Sequence, residues 1–150
     1  MLYNNYLKKL KKCPFCEASN RELIANNNAY LTYAKAPYHK HHLLIIPKKH
    51  VVSFFDITKN EAKDIDVLIK TGTRILKKLK YNNFTILVRE GDDSNKSIKH
   101  IHYHLIPSDP IGDLNNKGKP RVMLSNKEVI NLSAKISSLA NSLPPIITRD

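Results

Sequence analysis

The amino-acid sequence predicts one α+β domain: an antiparallel sheet of about five strands with flanking helices and an extra C-terminal helix. Three observations predict it. The 150 residues, 41% of them hydrophobic, fit a single domain with one sizeable core. Neighbouring apolar runs are joined by short polar returns, whereas parallel strands need crossovers of about a dozen residues or more. Two capping boxes, at Thr58–Glu61 and Ser125–Glu128, each open a stretch with apolar residues at helical spacing.

The elements follow in order. Residues 2–12 form a short amphipathic helix, and Cys13-Pro14-Phe15-Cys16 makes a knuckle. Strands at Arg21–Ala25 and Ala29–Ala34 flank Asn26-Asn27-Asn28, which is turn chemistry. A third strand, His42–Ile46, stops at Pro47. The first long helix runs from Thr58 to about Lys80, with Ala62, Ile65, Leu68, Ile69, Ile75, Leu76 and Leu79 toward the core. A strand at Asn83–Val88, a polar loop at Gly91–Ser97 and a strand at Ile98–Ile106 come next. Residues 108–124 are loop-like, rich in Gly and Pro. A terminal helix from Ser125 to about Leu143 is halted by Pro144-Pro145. No internal repeat or low-complexity linker divides residues 1–150.

The chemistry is concentrated in His100-Ile101-His102-Tyr103-His104-Leu105-Ile106-Pro107, which holds three of the seven histidines. On a strand, alternate side chains share a face, so the three imidazoles stand roughly 6–7 Å apart while Ile101, Tyr103 and Leu105 face a core. Near pH 7 an imidazole can be base, nucleophile, donor or ligand, which suits phosphate or metal chemistry better than packing. A second loaded segment is His42-Leu43-Leu44-Ile45-Ile46-Pro47-Lys48-Lys49-His50, an apolar run with histidines at its ends.

Lys and Arg outnumber Asp and Glu by 25 to 13, a net charge of +12 that favours anionic partners: nucleotides, nucleic acid or anionic lipid. The lysine clusters at Lys8–Lys12 and Lys77–Lys80 read as solvated helix faces. Aromatics do not interleave with the basic residues, so nucleic acid is possible but not favoured. No apolar run spans a membrane and residues 1–7 lack a cleavable signal pattern, which predicts a cytoplasmic protein. In that compartment the two cysteines, Cys13 and Cys16, are a redox pair or half of a tetrahedral zinc site. No thioredoxin-like βαβ context follows them.

The two histidine segments together resemble the histidine-triad (HIT) superfamily of nucleotide hydrolases and transferases. Its signature, His-φ-His-φ-His-φ-φ with φ apolar, is matched at His100–Ile106, and its upstream H-x-L-[VI]-I-P-[KR]-x-H segment at His42–His50. Arg89-Glu90-Gly91 partly matches the loop before the triad. The similarity covers residues 13 to about 112 and leaves 113–150 as a C-terminal extension. The resemblance implies a HIT-like fold and a covalent mechanism. His102 attacks the α-phosphorus of a nucleotide, held by a main-chain carbonyl near the first histidine, and His104 binds the phosphate and helps protonate the leaving group. His42 and Ser97 match positions close to the phosphate, and Arg89 and Lys96 are expected to bind phosphate. In zinc-bearing relatives, residues matching Cys13, Cys16, His50 and His100 hold one structural Zn²⁺ per chain. A homodimer is implied as well.

This chain departs from the family pattern at three places. Arg89 stands where many members have Asn, Ser94-Asn95-Lys96-Ser97 replaces Gly-Gly-Gln-Ser, and Ser108 replaces an Arg after the motif proline. Substrate choice among dinucleoside polyphosphates, nucleoside phosphoramidates and adenylylated molecules is therefore open. His39 and His41 read as surface-loop residues near the substrate. Two other classes compete. In one, His100, His102 and His104 themselves ligate a catalytic metal, which a chelator would expose. In the other, the chain is a non-catalytic basic module for nucleotides or nucleic acid, marked by salt-dependent binding without turnover.

Overall fold

A computed structural model describes residues 1–17, 21–94, 96–107 and 122–144. The elements are α1 (Tyr3–Lys9), β1 (Ile24–Ala25), β2 (Ala29–Tyr33), β3 (Leu43–Pro47), α2 (Lys59–Lys78), β4 (Phe84–Val88), β5 (Tyr103–Pro107) and α3 (Asn126–Asn141). Short 3₁₀ turns lie at Phe54–Asp56 and Asp92–Ser94. The five strands form one sheet in the order β1-β2-β3-β5-β4, every pair antiparallel. The predicted α+β class and strand count are thus the observed ones.

Register decides which residues build the core and which build the site. Leu43 pairs with Leu105 and Ile45 with Tyr103, so these side chains share one face. Ile65, Leu68, Ile75 and Leu76 of α2 pack on that face, joined by Leu132 and Ile136 of α3. Leu44 pairs with His104 on the opposite face, where Tyr30, Leu44 and Ile46 pack against Phe15. The histidine of β5 therefore lies on the side of the sheet away from α2.

Both capping boxes form: Thr58 and Ser125 accept from the backbone of Glu61 and Glu128, whose carboxylates bond back. The clustered lysines of α1 and α2 are exposed in last turns, where they complement the helix dipole. Gly91 sits at φ +79, a conformation that suits glycine and turns the chain after β4.

Three boundaries differ from expectation. The first helix ends at Lys9 because Leu10 is already extended. The first strand is only Ile24–Ala25. The histidine strand begins at Tyr103, not Ile98. Upstream of Tyr103 the backbone leaves the ladder, and Ile101 N–H donates to the Val51 carbonyl at 2.7 Å instead. The strict face-sharing expected of His100 with His102 and His104 therefore does not hold. The loop expected at 108–124 lies outside the described residues up to 121, as do Asn95, Ser108 and Pro145. The short α1 is tied down from outside, by the Leu2–Val122 bridge and a Met123 N–H to Met1 carbonyl bond.

α2 approaches the sheet closely at Gly72. A Cβ there would meet Leu105 at 2.7 Å and Leu31 at 3.2 Å. Gly72→Val should therefore destabilise the fold by about 1–3 kcal/mol through overpacking. A denaturant midpoint equal to that of the unsubstituted chain would contradict this close contact.

Candidate active site and metal centre

Two clusters grow from the end of the histidine segment, on either side of residue 100. The first gathers Cys13, Cys16, His50 and His100, whose ligand atoms all lie within 4.8 Å of one another. His100 Nδ1 is 3.5 Å from both sulfurs, and Cys16 Sγ is 3.1 Å from His50 Nδ1. The α1-to-β1 connection supplies the cysteines; its knuckle is anchored where the Tyr30 hydroxyl donates to the Phe15 carbonyl at 2.8 Å. His100 Nε2–H donates to the Pro47 carbonyl at 3.0 Å, which leaves Nδ1 turned to the sulfurs as an acceptor. Desolvation and the adjoining Cys13 push the Cys16 thiol up to about 11. Both cysteines are free thiols.

This donor set fits zinc. Zn–S bonds of about 2.3 Å and Zn–N bonds of about 2.0–2.1 Å make the S···N edge of a tetrahedron about 3.6 Å. The two 3.5 Å separations match that edge. The Pro47 carbonyl on the far nitrogen of His100 is the outer partner a metal-bound histidine needs. Among the described residues this is the one such Cys/His/carboxylate group.

The second cluster is His42, His102 and His104, all buried. Their rings are close, with centroids 4.7 Å apart for His102–His104 and 5.1 Å for His42–His104. Phe15 covers His102 at 5.0 Å. Hydrogen bonds fix where the protons sit. His102 Nδ1–H donates to the His100 carbonyl at 2.8 Å, so in the neutral ring Nε2 carries the lone pair. The Tyr38 backbone N–H can only donate, and it donates to His42 Nδ1 at 3.2 Å. His42 therefore carries its proton on Nε2 and donates it to His104 Nδ1, 3.0 Å away. His104 in turn holds its own proton on Nε2. Burial, helped by the charges of Lys96 and Arg89, pushes His102 down to about 4, so it is a neutral imidazole near pH 7.

These histidines open into a pocket of about 490 Å³. Of the expected phosphate contacts, His42, Arg89 and Ser97 line it. Lys96 does not: its ammonium donates to the Val52 carbonyl. The outer wall is α1, where the Tyr3 hydroxyl meets Ser97 Oγ at 2.8 Å. Sequence reasoning missed four polar lining residues: Tyr3, Tyr6, Arg21 and Lys35. The Tyr3/Tyr6 spacing on one helix face was a usable signal; nothing local marked Arg21 or Lys35. His41 is also not the surface-loop residue expected. It is buried, with Nδ1 2.7 Å from the Tyr81 hydroxyl, because the turn before β3 folds it onto the end of α2.

Fold and clusters together define a class. A family model for the HIT domain matches residues 16–111, and the chain belongs to that family. It is 29% identical over 131 residues to an adenosine 5'-monophosphoramidase of Schizosaccharomyces pombe, covering 84% of this chain and 96% of that one. It shares its fold with a hypothetical histidine triad nucleotide-binding protein from Sulfolobus tokodaii (TM-score 0.73, 22% identity, 86% of this chain and 92% of that one). It is also similar in fold to a Zn-bound histidine triad family protein from Mycobacterium smegmatis (TM-score 0.64, 18% identity, 91% and 99%). The family resemblance read from the sequence is borne out.

Proposed function

We propose that this protein is a HIT-type nucleotide hydrolase or nucleotidyl transferase that works through a covalent nucleotidyl group on His102. The observation that carries the reading is the His102–His100 carbonyl bond beside the His42–His104 pair, which makes one Nε2 a lone pair and the next an N–H donor. His102 Nε2 attacks the α-phosphorus; the P–N bond forms as the bond to the leaving group breaks. The His100 carbonyl accepts from Nδ1–H and stabilises the positive charge that develops on the ring. In its protonated form the His42–His104 pair gives a proton to the leaving group. A water then attacks the phosphorus, the P–N bond breaks as the P–O bond forms, and the pair takes up one of the water's protons. With another acceptor in place of water, the same step is a transfer. Arg89 and Ser97 hold the phosphate oxygens. Lys96 contributes its charge, which reaches His102, from outside the pocket wall.

Adenosine phosphoramidates are the substrates we favour, supported by the relative from Schizosaccharomyces pombe that carries that activity in its name. The rival in which three histidines share a catalytic metal fits poorly, since both ring nitrogens of His100 are directed elsewhere. His102→Ala should abolish turnover while the fold persists. Rapid quench of the unsubstituted enzyme with an adenosine phosphoramidate should trap one nucleotidyl group on His102; an active Ala variant would exclude the mechanism.

We further propose that Cys13, Cys16, His50 and His100 bind one Zn²⁺ per chain, closed to water, to stabilise the fold. The zinc-bound relative and the tetrahedral edge lengths support this. Cys ligands kept as thiolates suit a cytoplasmic location. Elemental analysis should give about one zinc per chain, and Cys13→Ser should lower zinc content and Tm together, because binding is coupled to folding. Full occupancy in that variant would refute the ligand set.

A homodimer through the β4 edge is the assembly we favour. Ile86 on that strand is 47% exposed, Phe55 is 88% exposed, and the Phe54 N–H bonds the Glu90 carboxylate just beyond β4. Light scattering should report twice the chain mass, and Ile86→Lys should shift it toward monomer. A monomeric unsubstituted protein at tens of micromolar, roughly the range in which a modest dimer still assembles, would remove this assignment.

A further inference from the structure

The proposed mechanism uses one end of the pocket and leaves the other unexplained. The pocket crosses the strand order. Arg89 follows β4, His104 lies on β5, His42 precedes β3, Lys35 follows β2, and Arg21 precedes β1. The Arg21 carbonyl accepts from the Thr32 hydroxyl at 2.7 Å, which holds it beside β2. Adjacent strands are about 4.8 Å apart, so β2 and β5 are about 10 Å apart across the sheet, and Lys35 lies at least that far from His104 of β5.

Arg21 and Lys35 are two cations at one end of a pocket that, among the described residues, no carboxylate lines. Among the described residues neither forms an ion pair. Each rests instead on an aromatic face. The Arg21 guanidinium lies 5.4 Å from the Tyr33 ring centroid, and the Lys35 ammonium 5.0 Å from that of Tyr6. Such contacts orient a cation without cancelling its charge. Arg21 Nε is buried and, among the described residues, has no hydrogen-bond partner, a costly state for a polar donor. Burial, and then Arg21 itself, holds Lys35 below the usual lysine range. Two like charges confined together with a donor unspent are the signature of a place made for an anion.

We propose that Arg21 and Lys35 form a second anion site at the β1–β2 end of the pocket, which binds a phosphate group of the substrate about 10 Å from the phosphorus attacked by His102. This inference rests on the proposed function only for where the reacting phosphorus sits. Among adenosine phosphoramidates and related nucleotides, those that carry a second phosphate, attached to the ribose or further along a phosphate chain, are then preferred over those with the reacting phosphate alone. Arg89 serves the reacting phosphate, and the Arg21–Lys35 pair serves the remote one. α1, carrying Tyr6 against Lys35, closes over that remote group.

Calorimetry on the zinc-replete protein tests this without turnover. AMP is the reference; adenosine 3',5'-bisphosphate carries a ribose phosphate and ATP a chain. At least one of the two should bind ten or more times tighter than AMP, with a steeper salt dependence, and which one does so identifies the source of the phosphate. In Lys35→Gln, and in Arg21→Gln if it keeps its fold by circular dichroism, that preference should fall to within about threefold of unity, whatever becomes of AMP affinity. Parity of all three ligands in the unsubstituted protein, or an undiminished preference in Lys35→Gln, would overturn the second site. Either result leaves the His102 mechanism standing, since that is judged by the trapped adduct alone.

Discussion

His100 is fixed at both ends, and the two clusters are arranged around that fixing. Its Nε2–H is held by the Pro47 carbonyl, where β3 ends, and its own carbonyl holds His102 Nδ1. The side chain therefore turns toward the cysteines while the main chain serves the next histidine. This is possible because the backbone leaves the sheet ladder before Tyr103. Had residues 98–102 continued as a regular strand, the His100 carbonyl would have pointed along the ladder and its imidazole into the pocket.

Burial sets the chemistry that this geometry allows. The three pocket histidines are nearly inaccessible, and at His102 desolvation resists protonation. For His102 that means a lone pair retained at neutral pH. His42 and His104 are joined by a hydrogen bond between their rings, 3.0 Å long. The same desolvation acts on Lys35 and, with the nearby Arg21, holds it below the usual lysine range. Among the described residues no carboxylate lines this pocket, and aromatic rings stand in as supports.

Much of this was legible in the sequence. Capping boxes at Thr58 and Ser125, the Asn26–Asn28 turn and the apolar periods gave the elements and the antiparallel class, because each is a local preference. The grouping of Cys13 and Cys16 with His50 and His100 followed from motif resemblance, and the fold brings those atoms together. The end of the first helix was not legible, since no capping residue marks Lys9. The start of β5 was misplaced because alternation in His100–His104 imitates a strand beyond the point where pairing stops.

The sequence by itself determined which residue types are available and which local elements they prefer: an α+β chain with three alternating histidines, a Cys-x-x-Cys knuckle and a strong positive charge. Only the tertiary structure decided what those groups do to one another. The side of the sheet that carries His104 depends on its register with Leu44. The protons on His42 and His104 depend on a backbone N–H at Tyr38. Arg21 and Lys35 line one pocket because β1 and β2 are neighbours, an arrangement between segments whose sequences say nothing about each other. Hydrogen-bond direction and charge proximity are properties of pairs of atoms, and most of the pairs that matter here are distant along the chain.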